Sequence, residues 1–98
     1  LRAKGLSGRD YLKPETGMLF VFPTAGIQRF WMKGMLIPLD IIWIRGETIL
    51  GIVEGAEPAS GEPLTIYTSP EPADRVLEIN AGLVEKLGIK LGDSVVVQ

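Results

Sequence analysis

Apolar residues along the chain fall in short runs, and Gly and Pro separate them: Lys13-Pro14-Glu15-Thr16-Gly17, Pro23-Thr24-Ala25-Gly26 and Gly61-Glu62-Pro63 are the clearest breaks. The intervals are too short for typical helices and suit strands. Residues 18–22, 29–33, 40–45, 48–54, 65–69, 75–79 and 94–98 are rich in β-branched and aromatic side chains and predict about seven strands. The runs at 18–22, 40–45 and 48–54 are apolar on both faces, which places them centrally with cover on either side. Those at 65–69 and 75–79 alternate, as half-exposed strands do. Between 40–45 and 48–54 stand two residues, Gly46 and Glu47, which fit a type II′ hairpin because Gly takes the first positive φ without steric cost.

One helix is signalled at 80–88. Asn80 is the expected N-cap, Leu83, Val84 and Leu87 an apolar stripe, and Gly88 the left-handed residue past the end. Residues 1–5 read as the end of a second short helix, and 56–63 as an acidic surface loop. The fold class expected is therefore mainly β, with α+β as the variant: an antiparallel or mixed β-sandwich or barrel with one or two short helices. The chain of 98 residues is expected to be a single domain over 1–98. It opens at Leu1 rather than Met, so a first strand or an export signal could precede it.

Composition narrows the partners. Ten Lys and Arg against twelve Asp and Glu give a net charge of −2 with both signs mixed, which does not suit a phosphate-backbone binder, so no nucleic-acid partner is expected. Lys33, Pro38, Asp40, Arg45 and Glu47 interrupt the longest apolar stretch, so membrane insertion is not expected either. The chain has no His and no Cys. That removes the common soft-metal ligands, a Cys nucleophile and a Ser-His-Asp relay, and no phosphate-loop or dinucleotide fingerprint is present, so no cofactor is expected.

The order of several segments resembles a known family. Arg2-Ala3-Lys4-Gly5-Leu6, Gly17-Met18-Leu19-Phe20-Val21-Phe22, Phe30-Trp31-Met32-Lys33 and Ile37-Pro38-Leu39-Asp40-Ile41-Ile42 are followed by Val76-Leu77-Glu78-Ile79, Ala81-Gly82 and Gly92-Asp93. In this order they look like the prokaryotic family catalogued as domain of unknown function 192, over essentially the whole chain. The sequence departs from that pattern at Ser7, where Met is common, and at Gly34-Met35, where Asn-Thr is usual. The resemblance implies a compact, mainly β domain, often behind an export signal and hence extracytoplasmic, with no activity or catalytic residues to carry over.

The candidate chemistry is thin. Period 2 puts Trp31 and Lys33 on one strand face, and Pro38 ends the connection that delivers Asp40 to the next strand. In a binding module Trp31 is a stacking platform for a sugar or another small polar ligand, edged by Lys33 and Asp40. The plainer account packs Trp31 beside the core under the Lys33 stem and gives Asp40 a capping role. Glu78, between Leu77 and Ile79, is either solvent-facing or an acid of raised pKa that would pair with Asp40 in a small hydrolase. Arg9 could clamp a ligand carboxylate or simply pair with Asp10. Glu54, Glu57 and Glu62 match no calcium loop, so no metal is assigned. Leu87 to Asp93 carries a Gly-Asp turn of a kind also found in swapped-hairpin DNA-binding regulators, a generic dipeptide here. A third class of role, structural or assembly, predicts an exposed apolar patch or a paired edge strand in a homodimer.

Overall fold

The computed structural model describes residues 17–31, 37–57 and 66–95. They form β1 (Gly17–Gly26), β2 (Arg29–Trp31), β3 (Leu39–Arg45), β4 (Thr48–Ala56), β5 (Ile66–Thr68), β6 (Ala73–Asn80) and α1 (Leu83–Leu87). A four-stranded antiparallel sheet runs in the order β1-β6-β3-β4, and β2 and β5 make a separate antiparallel ribbon. The fold is mainly β, as the strand spacing predicts, and the sheet is open rather than closed into a barrel. Of the expected strand at 94–98, Ser94 bridges to Thr48, and residues 96–98 lie outside the described residues, as do 1–5, 32–33 and 58–65.

Alternation along the strands sorts the apolar side chains onto two faces. On one face Phe20, Leu39, Ile41, Trp43 and Val76 pack under the ribbon residues Phe30 and Tyr67. Phe30 is the bridge, lying edge-on to Phe20 at 5.3 Å and to Trp43 at 5.7 Å between ring centroids. On the other face Ile42, Ile44, Ile49 and Ile79 meet Leu83 and Val84 of α1. The β3 strand is buried along six of its seven residues, as its unbroken apolar run requires.

Two strands exchange the places their patterns suggest. The β1 strand, apolar on both faces over 18–22, is half exposed and is an edge strand among the described residues, where β6 pairs with one of its sides. The β6 strand, expected half-exposed, lies between β1 and β3 with Val76, Glu78 and Ile79 buried. Pro23-Thr24-Ala25-Gly26 is not a turn between strands. It lies inside β1, where Val21 pairs with Arg75 and Gly26 with Ala73, so the extra residues bulge outward. An edge strand tolerates a Pro at such a bulge because no ladder bond is lost.

The hairpin between β3 and β4 forms where expected, with Gly46 at φ 62. Gly88 also takes its expected left-handed place past α1, with φ 69. The start of the helix differs: Gly82, not Asn80, holds the N-cap position, and Asn80 closes β6 opposite Leu39. Leu87 does not join the apolar stripe and is 56% exposed, because the helix ends before a second turn can bring it to the sheet. Gln28 fastens the ribbon to the sheet. Its backbone N–H donates to Ser69 Oγ at 2.9 Å and its side-chain amide donates to the Ala73 carbonyl at 3.0 Å.

Candidate functional site

Asp40 is fully buried, on the face of β3 that carries α1. Its Oδ1 accepts the Gly55 N–H at 2.8 Å, and its Oδ2 accepts the N–H groups of Gly82 and Val84 at 3.0 Å each. Val84 is the second residue of α1, so Asp40 does from a neighbouring strand what an N-cap side chain does locally. Gly55 reaches the same carboxylate because β4 bulges there: Leu39 pairs with Ala56 and Ile41 with Val53, and the surplus residue turns back at φ 68. Asp40 thus ties helix, β3 and β4 together through three backbone bonds.

Glu78 lies one pairing position away and on the opposite face. Asp40 pairs with Ile79, whereas Glu78 pairs with Ile41 on one side and Met18 on the other. It is 5% exposed and has no hydrogen-bond or ion-pair partner among the described residues. Burial pushes its carboxyl from 4.5 up to about 7. Because successive residues of a strand point to opposite faces, the sheet itself separates Asp40 from Glu78. The two carboxylates do not share a pocket, and the paired-carboxylate hydrolase arrangement is not assembled.

The remaining candidates are not brought together in the described part. The backbone of Trp31 pairs with Ile66 at the end of the ribbon, while its side chain, like Lys33 and Arg9, lies outside the described residues. Glu62 lies outside them too, and among the described residues no three carboxylates gather in a way that could hold a metal ion.

Among the described residues a concavity lies along the outer edge of β4. An open cleft of about 750 Å³ has Leu50, Ile52 and Val53 at its floor, Pro70 on one wall, and Ile89 and Leu91 on the other. Pro70 follows the ribbon strand β5, and Ile89 and Leu91 follow α1, so residues from both sides of the sheet line the cleft. Gly51 is needed there, since a Cβ would stand 2.8 Å from Pro70 Cγ and 3.0 Å from Trp43 Cδ1. Two exposed charges, Glu54 and Lys90, line the cleft, and neither makes an ion pair among the described residues. Sequence reasoning missed this site because three segments distant in the chain build it. The available trace was Leu91, an apolar residue in a turn, now 65% exposed.

These features define a class: small, mainly β proteins whose open antiparallel sheet is covered by a ribbon and a short helix. The chain belongs to the DUF192 family (Uncharacterized ACR, COG1430), which matches residues 1–97. No curated protein matches the sequence. Two crystal structures share the fold. A protein of unknown function from Novosphingobium aromaticivorans DSM 12444 is 39% identical with a TM-score of 0.87, covering 95% of this chain and 65% of that one. A putative transcription regulator from Sinorhizobium meliloti 1021 is 41% identical with a TM-score of 0.88, covering 95% of this chain and 70% of that one. This chain therefore spans about two thirds of the Novosphingobium protein's length. Among the described residues no helix is long and apolar enough to cross a membrane.

Proposed function

We propose that this protein is a non-enzymatic binding module and that its recognition site is the cleft along β4. The observation that carries the reading is the cleft's make-up: a largely apolar lining with two charges, Glu54 and Lys90, that make no ion pair among the described residues. Recognition sites commonly combine apolar enclosure with a few polar groups that orient the ligand. A small polar or amphipathic ligand suits this lining. The alternative site at Trp31 and Lys33 keeps its stacking rationale but loses Asp40, which is bonded to three backbone amides. For the hydrolase alternative, Asp40 and Glu78 lie on opposite faces of the sheet, with Glu78 paired between Met18 and Ile41.

The test is two-dimensional amide NMR of the whole chain against a panel of sugars, small carboxylic acids, amines and short peptides. Saturable shifts at Leu50 to Glu54 and Ile89 to Leu91 support the reading. Shifts confined to the Trp31 region move the site to the ribbon, and silence across the panel overturns the module. One structural relative is named for transcription regulation. The mixed charge of −2 gives that role little electrostatic support in this chain, and a duplex-DNA titration at low salt, where phosphate contacts are strongest, checks it directly.

A further inference from the structure

We infer that the β4 cleft takes an extended peptide, added as a further antiparallel strand with its cationic end at Glu54 and its anionic end at Lys90. The inference rests on the binding-module reading and specifies the ligand.

The chain already uses this edge for strand addition. Ile49 N–H donates to the Asp93 carbonyl and Gly92 N–H to the Ile49 carbonyl, both at 3.0 Å, and Val95 N–H donates to the Glu47 carbonyl at 2.6 Å. The segment around Ser94 therefore lies antiparallel against the first residues of β4. Beyond Ile49 the pairing stops, and among the described residues nothing is bonded to the outer edge from Leu50 to Glu54. Backbone N–H and C=O groups along a free edge are a template for another strand. Here the template lies in an open cleft that Pro70 lines together with Ile89 and Leu91.

Polarity and length follow from the same geometry. Lys90 and Leu91 immediately precede Gly92, which places Lys90 beside the Ile49 end of the open edge. Glu54 stands at the other end, about 13 Å further along an extended strand. An incoming strand antiparallel to β4 begins near Glu54 and ends near Lys90, so a basic first residue and an acidic last residue meet opposite charges. Two bulges limit the run. Trp43 pairs with Gly51 and Ile44 with Ile49, which leaves Leu50 surplus, and the second bulge is at Gly55. Only a short segment, about four or five residues, can therefore be added, and the bulges discourage indefinite edge-to-edge pairing.

The experiment titrates the whole chain with the capped pentapeptide Arg-Val-Thr-Val-Glu, its charge-reversed form Glu-Val-Thr-Val-Arg, and a version of the first with alternate backbone nitrogens methylated. The expected result is preference for the first peptide, amide shifts at Leu50 to Glu54, and a loss of about tenfold or more on methylation, which removes main-chain donors. The double variant Glu54→Lys with Lys90→Glu, at two exposed positions, reverses the peptide preference. Peptide binding indifferent to both methylation and charge order overturns strand addition and leaves the module reading intact. So does binding of a small molecule in the cleft when no peptide binds. If neither peptides nor small molecules perturb the cleft, both readings fall.

Discussion

Asp40 and Glu78 are both buried carboxylates on adjacent central strands, yet the protein treats them in opposite ways. Asp40 receives three backbone N–H groups, while Glu78 receives no partner among the described residues and has its proton held up to about 7. Burying a charge is tolerable when hydrogen bonds replace the lost water, and otherwise the group neutralises. One sheet thickness separates the two outcomes. On the α1 face, helix-start and bulge amides need an acceptor, and on the ribbon face Glu78 is flanked by Met18 and Ile41.

The largest test of this contrast is Asp40→Ala, which removes the acceptor of three backbone N–H groups at once, the Val84 bond buried and the Gly55 and Gly82 bonds part-buried. We expect a loss of about 4 to 5 kcal/mol in urea unfolding, a large part of a small domain's stability. A loss below about 1 kcal/mol would mean that water replaces the carboxylate and that the contrast is false.

Glu78 is expected to show itself through pH. Its folded pKa lies above the unfolded one, so between 4.5 and about 7 the folded chain holds more protons than the unfolded chain. Its contribution is therefore fully present below the unfolded pKa and is lost as pH rises through about 7, by roughly 3 kcal/mol in total. Urea midpoints of the parent and of Glu78→Gln, compared at pH 5 and pH 8, isolate this term. The Gln variant should be the more stable of the two at pH 8, with little difference between them at pH 5. Equal slopes in both proteins would show that the carboxyl finds compensation.

Smaller changes separate the two ends of α1. Gly88→Ala should cost about 1 kcal/mol, since φ 69 is unfavourable for a residue with a Cβ. Asn80→Ala should leave the Val84 amide protected from hydrogen exchange, because Asp40 is its acceptor, whereas Asp40→Ala should expose it. Loss of Val84 protection in Asn80→Ala alone would return the capping role to Asn80.

Local chemistry was legible wherever it is decided by neighbours in the chain. Gly46 and Gly88 mark a turn and a helix end because their own φ values are cheap only for Gly, and the apolar run of β3 announces burial on both faces. Trp43 shows where legibility stopped. It is a core residue at 1% exposure, as its apolar run implies, yet nothing in its local sequence names the distant Phe30 and Gly51 that it packs against. Of the candidate site, Glu78 was named with both its readings, and the structure buries it. Asp40 was named for a cleft and a cap, and the hydrogen bonds give it the cap.

By itself, the sequence determined that this chain is mainly β, that a short helix ends at a left-handed Gly88, and that it belongs with DUF192. These depend on backbone preference and on residue order. Only the tertiary structure decided that β6 is central and β1 an edge, that Asp40 and Glu78 face away from each other, and that β4 lies open between two layers. Strand order and face are settled by which distant segments win the competition to cover each apolar surface, a contest of packing that no local pattern records.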